Sequence, residues 1–372
     1  GTGGSAPAPA AGPRPGPGPG RGPTPAELTR AALAGDRRAV ARLISLVEDA
    51  SDRMREVSAL LAGRTGTARV IGLTGAPGVG KSTTTSALVR AYRSRGLRVG
   101  VLAVDPSSPF TGGALLGDRI RMAEHATDPD VFIRSLATRG NLGGLSWATP
   151  QALRVLDAAG FDVVLIETVG VGQAEVDIAS LADTTLVLLA PGMGDGIQAA
   201  KAGIMEIADV LVVNKADRPG ADETYRDLVT MLRAVSGRPA GASRGGGGPD
   251  GAEAADWRPP VVRVTATEGR GVDELVEAVE RHDRWLRSTG ELERRRLRRA
   301  ADEIEQIALA AFRQRLGDLR GGSLLDRLAV AVVAGRVDPY TAADQLVQDL
   351  SGRGGEPAGQ GGTDGGRGDN RR

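Results

Sequence analysis

Val70-Ile-Gly-Leu-Thr74 runs directly into Gly75-Ala76-Pro77-Gly78-Val79-Gly80-Lys81-Ser82-Thr83, and the reading of the whole chain turns on this junction. The apolar run has the character of a buried strand, the residues after Thr83 that of a helix, and the loop between them fits GxxxxGK[ST]. Glycines at this spacing let the backbone wrap so that successive N–H groups point at phosphate oxygens. The helix beginning near Lys81 adds the positive end of its dipole. Lys81 is expected to reach the β- and γ-phosphates, and the Ser82 hydroxyl to ligate Mg²⁺. Gly75 through Thr83 therefore form a phosphate cradle.

Further strand-like runs follow at Arg98–Val104, Val163–Glu167, Thr185–Ala190, Val210–Asn214 and Val261–Thr265, with helical stretches between them. Runs that are apolar on both faces are what a parallel sheet covered by helices requires. The fold class is α/β, a P-loop NTPase sheet flanked by helices with N- and C-terminal helical extensions. Residues 1–23 are a Gly/Pro-rich tail too poor in apolar side chains to pack, and 351–372 form a second such tail. Residues 24–64 read as a helical arm opened by a capping box, with Thr24 at the cap, Pro25 at the first helical position and Glu27 reaching back. One further helical stretch runs from Asp36 to about Leu61. The phosphate-binding domain spans 65–288 and carries a flexible Gly-rich insertion at 236–256. From 289 to 350 a second helical arm places Leu297, Ala301, Ile304, Ala308 and Phe312 along one stripe suited to pairing two subunits. Within it Asp338-Pro339 opens the last helix.

The base follows from Asn214-Lys215-Ala-Asp217 at the end of an apolar run. An Asp placed there accepts bonds from guanine N1 and its exocyclic amine, while the Lys packs over the ring. Adenine lacks that donor pair and would leave the carboxylate unpaired. Thr265-Ala266-Thr267 ends the next strand, where a second loop would touch the base. Glu167-Thr-Val-Gly170 closes a third strand with an acid able to hold Mg²⁺, directly or through water, although such an acid can also cap a turn. Lysine usage points the same way. Among 47 basic residues only Lys81, Lys201 and Lys215 are lysines, and two of them complete nucleotide motifs. A compact ammonium enters a phosphate cradle that a guanidinium fork would crowd.

Composition removes several classes. With a net charge of +1 the chain offers no field to attract nucleic acid or an anionic membrane. Zero cysteines rule out disulfides, thiolate metal sites and a Cys nucleophile. Only His125 and His282 supply imidazole, so no His-rich metal site can form. The N-terminus has no signal-peptide pattern, and no apolar run nears the roughly 18 residues that cross a bilayer. A cytoplasmic protein without nucleic-acid or membrane partner is expected.

Glu167, where most GTPases carry Asp, resembles the G3E group of P-loop GTPases. Longer stretches are similar to its MeaB/MMAA/ArgK branch: Val104-Asp105-Pro-Ser-Ser-Pro-Phe through Met122, Phe132–Gly140, Glu167–Gln173 and Gly192–Asp209. The resemblance spans roughly residues 25–350. It implies a homodimeric, GTP-using chaperone of an adenosylcobalamin-dependent acyl-CoA mutase, typically methylmalonyl-CoA mutase, that gates cofactor loading and protects or reactivates the mutase. It further implies Mg²⁺ with GTP or GDP as the bound species. Catalytic roles fall to Lys81, Asp105, Asp118 and Glu167, and metal roles to Ser82, Asp105 and Glu167. Read from the residues alone, Asp105 also suits a turn acid before Pro106, and Asp118 a helix cap. Gly192 to Lys201 resembles the mobile switch that meets the mutase, with Asp195, Gln198 and Lys201 as partner-facing candidates. Lys201 equally suits a solvated helix position. Gly196 and Ala199 depart from the pattern of many relatives, and the Gly-rich insertion lacks a clear counterpart. Arg134 and Arg139 read as structural or switch cations rather than arginine fingers, and Gln173 suits either a water-orienting role or a backbone bond. Two other classes stand as alternatives: an ATP-dependent protein kinase linked to amino-acid transport, which Asn214–Asp217 disfavours, and a nickel-enzyme metallochaperone GTPase, which would want Cys or His clusters.

Overall fold

A computed structural model describes residues 22–49, 53–105, 122–137, 148–168, 174–192, 206–236, 256–317 and 323–353. The chain divides into two compact units, one ending at Arg296 and one beginning at Leu297. The strands are β1 (Arg69–Thr74), β2 (Val99–Asp105), β3 (Val131–Ala137), β4 (Val163–Thr168), β5 (Thr184–Leu189), β6 (Val210–Asn214) and β7 (Val261–Val264). The first unit's helices are α1 (Pro25–Leu33), α2 (Arg37–Glu48), α3 (Met54–Leu61), α4 (Lys81–Ser94), α5 (Ala148–Ala158), α6 (Ala174–Leu181), α7 (Ala221–Ser236) and α8 (Val272–Ser288). After these come α9 (Glu291–Gly317), α10 (Ser323–Val333) and α11 (Pro339–Arg353).

All seven strands form one sheet in the order β3-β2-β4-β1-β5-β6-β7, and every pairing is parallel. β1 is central. The chain leaves it towards β2 and β3 on one side, returns through β4, and then builds outward through β5, β6 and β7 on the other. That reversal makes a crevice at the carboxyl ends of the strands beside β1, where open α/β sheets bind ligands. Alternation along β1 sorts the core into layers. Ile71 and Leu73 pack with Leu88 and Tyr92 of α4 and Leu275 and Val279 of α8. Val70 faces the other way and joins Leu43 and Ile44 of α2, Val57 of α3, Leu156 of α5 and Ile178 of α6.

β3 was not among the expected strands. It is an edge strand, so its polar Arg134 and Ser135 need no second neighbour, and the apolar signal is broken. Arg134 pairs with Glu48 and also donates to Ser45 Oγ at 3.0 Å, which makes it a structural cation fastening α2 to the sheet edge. The capping box at Thr24 is present: Thr24 Oγ1 accepts from the Glu27 amide at 3.2 Å, and the Glu27 carboxylate accepts from the Thr24 amide at 2.8 Å. The single helical stretch expected from Asp36 to Leu61 is two helices, α2 ending at Glu48 and α3 starting at Met54. Asp49 is the C-cap of α2, its amide bonding the Ser45 carbonyl at 3.0 Å, and residues 50–52 lie outside the described residues.

In the second unit the apolar stripe faces solvent, with Leu297 63%, Ile304 68% and Phe312 44% exposed. Asp338 caps α11, accepting from the amides of Tyr340 and Thr341 at 2.9 and 3.1 Å. That helix runs through Arg353, past the boundary expected at Leu350. Residues 237–255, most of the expected insertion, lie outside the described residues.

Candidate nucleotide site

The cradle sits where β1 stops at Thr74 and α4 begins at Lys81. Gly80 caps the helix from a left-handed conformation, φ 96° and ψ 33°. A Cβ on Gly80 would lie 2.4 Å from Asn214 Nδ2, and one on Gly75, at φ +139°, 2.3 Å from the Leu188 carbonyl. The loop is thus closed against β5 and β6 so tightly that a side chain at either position is excluded. That is the fit a backbone cradle for phosphate demands. Lys81 is buried, and its ammonium donates to the carbonyls of Gly75 and Ala76 at 2.6 and 3.1 Å. Within the same loop, the Val79 amide bonds the Ala76 carbonyl at 3.4 Å. Pro77 and Gly78 are exposed, and Thr83 is half-buried on the first turn of α4.

Glu167 reaches the same place from β4, whose register sets it opposite Leu73 of β1. It is only 1% exposed. Ser82 Oγ donates to Glu167 Oε1 at 2.5 Å, and Thr85 Oγ1 lies 2.9 Å from Oε2. A hydroxyl and a carboxylate are hard oxygen donors of the kind Mg²⁺ takes, with phosphate oxygens and water completing its shell. No group of three or more His, Cys, Asp or Glu suited to a metal occurs among the described residues. This donor set fits an ion held mainly by nucleotide and water. Asp105 closes β2, next to β4, with Ala103 in register with Glu167. Asp118, Gly170, Gln173, Arg139, Asp195, Gln198 and Lys201 lie outside the described residues.

The third wall is built by β6. Asn214 is buried; its Nδ2 donates to the Val79 carbonyl at 2.8 Å, and its Oδ1 accepts from the Ala266 amide at 3.3 Å. Lys215 Nζ donates to the Gly78 carbonyl at 2.6 Å. Lys215 also holds φ 55°, the one positive φ of a non-glycine among the described residues. Such a conformation costs on the order of 1–2 kcal/mol and persists where the surroundings dictate it. Here the Ala216 amide is tied to the Val264 carbonyl at 3.1 Å on its other side. Asp217 and Thr267 stay exposed while Thr265 and Ala266 are buried. The phosphate loop, the Asn214–Asp217 loop and the Thr265–Thr267 loop meet at Asn214.

Residues 40–318 match the family described as methylmalonyl Co-A mutase-associated GTPase MeaB. The chain belongs to the MeaB family of GTPases. It is 46% identical over 329 residues to a Pyrococcus abyssi protein carrying a provisional GTPase name, covering 88% of this chain and 97% of that relative. Over 293 residues it is 35% identical to the GTPase ArgK of Escherichia coli, covering 76% and 83% of the two chains. A solved structure described as a LAO/AO transport system kinase superposes with a TM-score of 0.60 at 27% identity, covering 88% of this chain and 97% of that one. Membership in this GTPase family accords with a guanine nucleotide in the cradle.

Two features of this family member escaped the sequence reading. Thr85, in contact with Glu167, was hidden in the run Ser82-Thr-Thr-Thr-Ser86. The signal was there: five consecutive hydroxyl side chains are poor helix formers, and their presence in a helix calls for a use. The other is Ser86, whose Oγ meets the Glu124 carboxylate and lies 2.8 Å from His125 Nε2. Ser86 is the first cause holding the Glu124 carboxyl below its usual range, with Arg90 adding to it. Together they fix the short helical turn Ala123–His125 onto α4.

Proposed function

We propose that the chain is a Mg²⁺-dependent GTPase acting as a G-protein chaperone for an adenosylcobalamin-dependent acyl-CoA mutase of the methylmalonyl-CoA mutase type. It would gate cofactor loading and protect or reactivate the mutase. The observation that carries the reading is the match of residues 40–318 to a mutase-associated GTPase family, together with the convergence of three nucleotide loops on Asn214.

In this reading Gly75–Thr83 bind the phosphates through their amides, and Lys81 swings from the loop carbonyls to β- and γ-phosphate oxygens. Asp217 and Lys215 select guanine, with Thr265–Thr267 on its other side. Ser82 and Glu167 hold Mg²⁺, joined by Asp105, while Asp118 senses the γ-phosphate. When bound, the ion neutralises charge on the phosphate oxygens. Water attacks the γ-phosphorus as the bond to the bridging oxygen breaks, releasing GDP and phosphate. Asp195, Gln198 and Lys201 belong to the segment that meets the mutase. The helical arm of residues 289–350 pairs two copies through its exposed stripe. The protein works in the cytoplasm without nucleic-acid or membrane partner; no described helix is long and apolar enough to cross a bilayer.

The test is hydrolysis of GTP against ATP with Mg²⁺, with and without a candidate mutase. GTP-selective turnover that a mutase accelerates supports the reading. Turnover indifferent to every such mutase removes the chaperone role, and ATP preference removes the base assignment.

A further inference from the structure

Glutamate is one methylene longer than the aspartate most GTPases carry at this place. The extra torsion lets the carboxylate swing unless something holds it. Glu167 is held by two hydroxyls on one face of α4, Ser82 on Oε1 at 2.5 Å and Thr85 on Oε2 at 2.9 Å. Residues three apart on a helix are neighbours, so this spacing grips both oxygens of one carboxylate. Thr85 is fully buried, as is the carboxylate it meets.

Proton counting sharpens the picture. Thr85 has a single hydroxyl proton and two acceptors, Glu167 Oε2 at 2.9 Å and the Lys81 carbonyl at 3.0 Å. Glu167 in its metal-holding form is a carboxylate, the stronger acceptor, so the proton goes to it. Thr84, one residue earlier, makes the same backward bond to the Gly80 carbonyl at 3.0 Å. That hydroxyl meets no carboxylate among the described residues. Thr85 therefore has a specific task beyond filling the turn.

We infer that Thr85 is a positioning residue for GTP hydrolysis, fixing the outer oxygen of Glu167 so that the inner oxygen stays on Ser82 and faces the metal. The inference rests on the Mg²⁺ reading given above. Partners that orient a metal's ligands typically govern metal affinity by about tenfold to a hundredfold. The expected signature is thus a loss of metal affinity with nucleotide affinity intact.

The experiment compares the full chain with Thr85→Val, Thr85→Ser and Glu167→Gln, each complexed with GDP. Mn²⁺ binding is read from the disappearance of the free-ion signal in electron paramagnetic resonance. Fluorescent GDP binding in EDTA is measured alongside. Thr85→Val weakens Mn²⁺ binding by about tenfold or more, leaves GDP binding in EDTA unchanged, and Thr85→Ser restores the metal. In a Glu167→Gln background the Thr85→Val change adds nothing further. Wild-type Mn²⁺ affinity in Thr85→Val overturns the inference, as does an additive loss in the double variant. Should Thr85→Val fail to fold, Thr85→Ala supplies the same comparison. A wild-type GDP complex that takes up no Mn²⁺ removes the metal reading itself, and this inference with it.

Discussion

Asn214 Nδ2 donates to the Val79 carbonyl at 2.8 Å, so the Asn214–Asp217 loop is bolted to the loop between β1 and α4. The same side chain accepts from Ala266, and its amide leaves no room for a Cβ on Gly80. The two loops are therefore one mechanical unit.

Asn214→Ala breaks both bonds and strands buried backbone groups, at a cost of about 1–3 kcal/mol for each group left unpaired. GDP affinity, measured by titration calorimetry, is expected to fall at least tenfold together with the melting temperature. A variant that binds GDP normally would show that the three loops hold together without this side chain.

Asp217 is exposed, as a residue waiting for a ligand rather than supporting the fold would be. Asp217→Asn replaces an acceptor pair with an acceptor and a donor. It should lose GTP by at least about tenfold, since a mismatched polar site costs about 1–3 kcal/mol. Xanthosine triphosphate, which presents an oxygen where guanine has its amine, should be gained. Competition among GTP, ATP and xanthosine triphosphate checks this, with the melting temperature unchanged.

His282 is buried at the opposite end of the strands, its Nδ1 2.9 Å from Thr184 Oγ1 and its Nε2 3.3 Å from Asp209. Burial pushes its pKa from 6.5 down to about 4, although Asp209 pulls the other way. Between those values the unfolded chain takes up a proton that the folded chain refuses. Stability is thus complete above pH 6.5 and declines as pH falls towards 4, by roughly 3 kcal/mol from this group. Urea unfolding at pH 7 and pH 5 should show a steeper loss in the wild type than in His282→Gln. Trp257 and Trp285, with ring centroids 4.7 and 5.7 Å from the imidazole, give the fluorescence signal.

Arg295 grips Asp209 with both nitrogens, Nη1 to Oδ2 and Nη2 to Oδ1, each at 2.9 Å. Arg295→Ala leaves a buried carboxylate beside His282 and should cost about 3–5 kcal/mol. Arg295 is also one of the charges holding the His282 pKa down. Its removal should therefore bring that pKa back towards 6.5 and make the acid loss of stability smaller. An unchanged loss between pH 7 and pH 5 would mean that burial alone sets the histidine.

Much of the fold is legible in the sequence because β1, β2, β4, β5 and β6 are buried on both faces and so nearly continuous in Val, Ile and Leu. β3 is not, because an edge strand tolerates Arg134, and the break between α2 and α3 has no glycine or proline to announce it. In the site, Gly75–Ser82 and Asn214–Asp217 announce themselves because backbone geometry and base chemistry allow few alternatives. Thr85 does not, since its role depends on a carboxylate 82 positions away in the chain. The grip of Arg295 on Asp209 is equally silent, as any of the many arginines could have met any acid.

The scarcity of lysine gives the nucleotide site a chemical address. Among the described residues only Lys81 and Lys215 carry a primary amine, and both sit against the phosphate loop. An amine-directed acylating reagent would therefore mark the described fold only there, and a bound nucleotide would shield both marks together. Mass spectrometry after partial labelling could then follow occupancy of the site directly, in the untagged protein and in the presence of any partner.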